Sequence, residues 1–272
     1  LTDDSGGEPG TPVSLLSLKD SKRGYDVTTP GSTFLFWNVL LHERQPDTVL
    51  PIVANLVREA VRDCVVRLAE RAAASPLSAE AQSLALDIPV LTYSALLTEV
   101  LAQDPEAADH LQKIARESAG TDLPERCRRM TEALWERSRR SGPAVILGLG
   151  SIPYLATQVM DPWLSSVIEA FLLDVPTHLG ETVTARKYFA GISDMSFFGQ
   201  ADDRVFAALA AETPIWEEAI GLRAGALAQI PTINIGPWGR DYHTPLERTH
   251  VDYTFHKLPL LIADLTRRIL AA

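Results

Sequence analysis

The stretch from Gly236 to Tyr253, "GPWGRDYHTPLERTHVDY", decides how the C-terminal part of this chain is read. It holds two of the six histidines, His243 and His250, beside acidic neighbours. Thr244-Pro245-Leu246-Glu247 has the form of a capping box: a threonine cap, a proline at the first helical position and a glutamate three residues on. The pattern predicts a helix from Pro245, with Glu247 folded back to the Thr244 backbone N–H. That engagement argues against His243 and Glu247 as a metal pair at i and i+4. His243 then lies one residue before the helix, at the end of a glycine-rich loop. The loop follows "IPTINIG", 230–236, an apolar segment that reads as a strand. Loops at strand ends are where ligands meet α/β sheets, so a crevice-facing histidine stands beside the plainer reading of a surface one.

Outward from that stretch the pattern alternates. "DPWLSSVIEAFLLD", 161–174, predicts a helix with Pro162 in its first turn. "TVTARKYFAGISD", 182–194, predicts a strand ending in a polar loop, and "DRVFAALAA", 203–211, another helix. A last helix sets Leu258, Leu261, Ile262, Leu265 and Ile269 on one side. Residues 156–272 thus read as part of a layered α/β unit.

Residues 31–155 read differently, as strand, helix, strand, helices, strand: a compact α+β unit. "TFLFWNVLLHE", 33–43, predicts its first strand. A long helix follows, with Asp47 as cap and Val49, Val53, Leu56, Ala60, Cys64 and Leu68 as its core face. "DIPVLTYSALLTEVLAQ", 87–103, is a short strand entering a helix. Two more helices are expected near 105–118 and 123–140, and "GPAVILGLGSIPY", 142–154, holds a buried strand. Residues 1–30, rich in Gly, Pro, Ser and Asp, read as an entry loop or linker.

The 272 residues are 46% hydrophobic and 22% charged, enough to bury a core, and carry a net charge of −10. That balance argues against a nucleic-acid or anionic-membrane partner, which needs clustered Lys and Arg. The basic runs "RCRRM" and "ERSRR" sit among glutamates on one helical segment and read as a solvated face. Cys64 and Cys127 make neither a disulfide framework nor a zinc knuckle, which fits a reducing cytoplasm. No apolar run approaches the ~20 residues of a membrane span. "GLGSIP" fits neither a nucleophile elbow nor a phosphate loop, and Trp37, Trp135 and Trp216 read as core or interface anchors.

Three motifs in order carry a family resemblance: Gly191-Ile192-Ser193-Asp194, Gly236-Pro237-Trp238-Gly239, and His243-Thr244-Pro245-Leu246-Glu247. With "YDVTTPGSTFLFWNVLLHERQPDTVLPIVANLVREA", 25–60, and "IPVLTYSAL", 88–96, the chain resembles the zinc-dependent aminoacylase, dipeptidase and carboxypeptidase G family, closest to its arginine-utilisation branch. The resemblance implies an inserted lid, or dimerisation, domain over 31–155 and the C-terminal part of a zinc-hydrolase catalytic domain over 156–272. It implies a homodimer paired through the lid and a small amino-acid-derived substrate. His243 takes the place of the last zinc ligand, in a site that holds two zinc ions in such enzymes. Asp194 faces the same crevice by the resemblance, with a loop or cap aspartate an equally open reading. Gly236 is a further substrate-side candidate, and Arg240 is one because a guanidinium fork matches a carboxylate, with a surface ion pair equally open.

The family's other ligands precede these motifs, as a His-x-Asp and a Glu-Glu pair. His250-Val251-Asp252 and Glu217-Glu218 have those compositions in inverted order, and are expected not to be ligands. His42 is a lid histidine, read as a strand-end surface residue. The chain opens on Leu1, so a longer N-terminal portion is expected, and these residues alone are expected to hold zinc weakly and to lack amidase activity. The alternative is a non-catalytic interaction or dimerisation module.

Overall fold

A computed structural model describes residues 12–22, 24–41, 44–74, 87–154, 159, 161–185, 198, 203–223, 230–242 and 244–271. It is a mixed α and β protein with three two-stranded sheets among the described residues.

The first sheet corrects the reading of residues 1–30 as loop. Ser14–Asp20 forms β1, antiparallel to β2, Thr33–Asn38, with Leu15 opposite Trp37 and a register irregularity between Leu15 and Ser17. Both faces of this hairpin are largely open, Leu15, Leu16, Leu18 and Trp37 included. A two-stranded hairpin is marginal alone, and this one is tied to the body. Lys19 meets Glu125 at 3.4 Å and Ser32 Oγ donates to Glu132 at 2.8 Å. Phe36 packs so closely over Gly150 that a Cβ there would sit 2.8 Å from its ring.

A 3-10 turn, Pro46–Thr48, leads into α1, Val49–Ala73. Thr48 rather than Asp47 precedes α1, and no side chain caps it. The expected core face holds only at its start, where Val49 is buried and Val53 half-buried; further on it is exposed, with Leu56 49% and Leu68 46% accessible and Cys64 open. Beyond Val53, burial follows the adjoining stripe instead, with Ala54 buried and Val57, Val61 and Val65 half-buried.

The second sheet is the parallel pair β3, Val90–Thr92, and β4, Val145–Leu147. Three helices link them: α2, Tyr93–Gln103; α3, Ala107–Glu117; and α4, Leu123–Arg137. The start of α2 is fixed by Thr92, whose Oγ1 accepts from Ala95 N at 3.3 Å, and that of α4 by Asp122, which accepts from Glu125 N at 2.8 Å. Leu96, Val100, Leu111, Cys127, Met130 and Leu134 form their core. A leucine as fully enclosed as Leu134 stabilises by about 1.5–3 kcal/mol.

Packing does not follow chain order after β4. Helix α5, Pro162–Leu179, is capped by Asp161, which accepts from Leu164 N at 2.7 Å, and ends at Gly180 with φ +63°. It packs against the last helix, α7, Leu258–Ala271, around Ile168, Phe171, Leu261 and Leu265. Between them in sequence, α6, Asp203–Glu212, joins the earlier elements. Glu212 accepts from Ser94 N at 3.1 Å and from Ser94 Oγ at 2.6 Å, and its carbonyl accepts from Leu149 N at 2.7 Å. Ile215 lies in the α2–α4 core, and Trp216 packs with Val205, Phe206 and Leu209.

The expected strands of the C-terminal part are not found where the structure describes them. Residues 181–185 and 230–238 carry no ladder, and the rest of 182–194 lies outside the described residues. No helix among the described residues is long and apolar enough to cross a membrane.

Candidate functional site: the 236–250 loop

The third sheet shapes the loop. Gly239–Arg240, β5, pairs antiparallel with Arg248–Thr249, β6. Gly239 is required there, because a Cβ would fall 2.5 Å from the Arg248 carbonyl oxygen. Tyr242 closes the turn from inside: its hydroxyl accepts from Gly239 N at 2.7 Å and lies 3.4 Å from the Pro237 carbonyl. Asp241 adopts φ +57°, a left-handed position that aspartate tolerates, and its carboxylate pairs with Arg248.

The capping box does not form. Thr244 Oγ1 donates to the Asp241 carbonyl at 2.8 Å and accepts from Leu246 N at 3.2 Å, while Glu247 N donates to the Thr244 carbonyl at 3.1 Å. Pro245 and Leu246 therefore sit in a turn, and the chain extends into β6 because Arg248 has β5 to pair with. The terminal helical run starts after His250 instead. His250 Nδ1 accepts from Tyr253 N at 3.2 Å, its own N–H donates to the Trp238 carbonyl at 2.8 Å, and its ring lies 4.8 Å from that of Trp238. A π turn, Tyr253–Lys257, then runs into α7.

On that turn Lys257 bridges Glu181 and Asp252, the latter at 3.1 Å, and His256 meets Asp252 at 3.2 Å. Hydrogen bonding from Lys257 foremost, then His256, holds the Asp252 carboxyl below its usual range. Glu181 foremost, then Asp252, pushes the Lys257 ammonium up.

The expected site residues stand as follows. Gly236 is exposed with open space around its Cα, and Arg240 is exposed on β5, its side chain without a partner among the described residues. Trp238 and Tyr242, two positions to either side of Arg240 in sequence, are exposed as well. His243, Asp194 and His42 lie outside the described residues. Glu217 pairs with Arg223 at 3.0 Å, and Asp252 with Lys257 and His256. Among the described residues no three His, Cys, Asp or Glu side chains converge as a metal site. These residues alone do not fit a zinc centre: His250 Nδ1 is engaged as a cap, Asp241 by Arg248, and Glu247 has a partner.

Sequence reasoning missed the roles of Tyr242 and His250. A tyrosine three residues after a glycine, and a histidine three before Tyr253, carry no strong local signal; the Gly239–Tyr242 and Tyr253–His250 hydrogen bonds reveal them.

No family model and no solved structure matches the chain. Two curated proteins do. The chain is similar to Protein RocB of Bacillus subtilis. The two are 26% identical over 275 residues, which span 97% of this chain and 48% of that protein. A second relative, the uncharacterized protein YqjN of the same organism, is 22% identical over 94% of this chain and 48% of its own length. The chain spans about half the length of each curated relative it matches. The likeness to RocB includes the 236–250 loop, since nearly all of this chain aligns.

Proposed function

We propose that this chain is a portion of a RocB-like, metal-dependent amidohydrolase or peptidase that acts on a small amino-acid derivative. The observation that carries this reading is the RocB likeness along 97% of the chain, at 48% of that protein's length. In it, residues 31–155 act as a lid and 156–272 as part of a catalytic domain. The exposed hairpin face with Leu35 and Trp37 is a suitable surface for pairing two lids into a homodimer.

Zinc is the metal the family resemblance implies, and His243, flanked by the Tyr242 and Thr244 turn, is its proposed ligand. The other ligands would have to come from outside the described residues, since three or four together give such a site its affinity. When bound, such an ion polarises a carbonyl and activates water. This chain's own part is to orient substrate. Arg240 offers a two-pronged donor to a substrate carboxylate, Gly236 leaves room for close approach, and Asp194 is a proposed substrate contact. The hairpin restricts Arg240 by pairing its backbone with Arg248.

The test is hydrolysis of N-acyl amino acids by the natural polypeptide that carries these 272 residues. Turnover that a chelator removes and zinc restores is expected, with Arg240→Ala raising KM by about tenfold for carboxylate-bearing substrates. Metal-independent binding of another protein with no amide turnover would instead favour an interaction module.

A further inference from the structure

A crevice of about 430 Å³ opens between the first turns of α1 and the C-terminal half of α6. Thr92 and Leu149 reach it from the carboxyl ends of the parallel strands β3 and β4. Ligands of α/β sheets bind at such ends, and the size lies in the range of small-molecule sites. Its walls are apolar: Ala54 and Leu209 are buried, and Leu50, Pro51, Ala208 and Ala211 complete them. None of the lining residues belongs to the 236–250 loop.

The polar groups in it are of both signs. Arg58 donates through Nη1 to Asn55 Oδ1 at 2.9 Å, which steadies the guanidinium and leaves its other donors free of any acidic partner among the described residues. The Glu212 carboxylate is held by two hydrogen bonds from Ser94, at 3.1 and 2.6 Å, and each oxygen keeps acceptor capacity. Arg58 and Glu212 line the same crevice and do not pair with each other. Asp47 lies eleven positions before Arg58 on the stripe 47, 50, 51, 54, 55, 58, roughly 16 Å away at the helical rise. A simple anion would meet Glu212 and a simple cation would meet Arg58. A small zwitterion satisfies both.

We propose that this crevice binds a free α-amino acid with an aliphatic side chain. The carboxylate pairs with Arg58 and the Asn55 amide, the ammonium with Glu212, and the side chain lies over Ala54, Leu50 and Leu209 toward Asp47. The proposal does not depend on the hydrolase reading, since it uses no residue of that site.

The test is a backbone-amide NMR titration of the natural polypeptide that carries these 272 residues with L-norleucine, with hexanoate, which lacks the ammonium, and with pentylamine, which lacks the carboxylate. Norleucine is expected to move the amides of 47–58 and 208–212 and to bind at least about tenfold more tightly than either analogue. Arg58→Ala, at an exposed position that tolerates substitution, should weaken norleucine about tenfold and leave pentylamine unweakened. The proposal is overturned if either analogue matches norleucine, if Arg58→Ala binds norleucine as the wild type does, or if those amides do not move at tens of millimolar ligand.

Discussion

The backbone N–H of Tyr253 donates to His250 Nδ1 at 3.2 Å, so a histidine caps the last helical run of this chain. The same ring lies against Trp238, which couples the helix start to the entry of the 236–250 loop. His250→Ala removes both contacts and should lower stability by about 1 kcal/mol, the usual cost of a lost cap. His250→Asn keeps an acceptor at that place and should recover most of it. Urea unfolding of the three proteins checks this, and equal midpoints for alanine and wild type would remove the cap from the account.

Leu56 and Leu134 should respond oppositely to substitution. Leu56 is 49% accessible on α1 and Leu134 fully enclosed on α4. Leu56→Asp should change stability by no more than about 0.5 kcal/mol, whereas Leu134→Ala should cost about 2–5 kcal/mol. Thermal melts distinguish the two, and a large loss from Leu56→Asp would mean that its face is covered in solution.

That contrast shows what was legible in the sequence and what was not. Helices α2, α4 and α5 could be placed because caps and prolines such as Asp161-Pro162 act locally. The period of α1 was equally plain, but it carries two apolar stripes, Val57-Val61-Val65 and Leu56-Ala60-Cys64, and periodicity cannot say which one meets the β3 strand. Thr244 to Glu247 misled for a related reason. The box is a local preference, overridden by a partner strand at Gly239–Arg240. The Glu212–Ser94 clamp joins positions 118 apart, and no pattern along the chain announces it. Of the loop residues expected at the site, Gly236 and Arg240 can be followed into the structure; His243 and Asp194 rest on motif resemblance.

Glu125 should shape the acid limb of stability. Its hydrogen bond from Arg128 foremost, and also Arg129 and Lys19, holds its carboxyl well below the usual carboxylate range against the opposing effect of burial. A folded pKa below the unfolded value of about 4.3 means a contribution that is present above that value. It is lost as pH falls through the folded pKa. Glu125→Gln should therefore be less stable than wild type near neutrality, with the gap narrowing below about pH 4. Urea midpoints at several pH values measure the difference, and a constant gap would contradict the pairing.

The two cysteines should differ in reactivity. Cys127 is buried, and that burial pushes its thiol up to about 12, while Cys64 is exposed on α1. A disulfide reagent near pH 8 should label Cys64 alone in the native protein and both thiols after denaturation, because the thiolate is the reacting form. Rapid native labelling of Cys127, read by mass spectrometry, would show that the α2–α4 core opens.

The zinc content of the natural polypeptide carrying these 272 residues, compared between wild type and His243→Ala, tests the central claim most directly. The account predicts bound zinc in the wild type and loss of both metal and amide turnover in the variant, with its unfolding midpoint in chelator unchanged. A wild type without zinc, or a His243→Ala protein that keeps full zinc and full turnover, would contradict it.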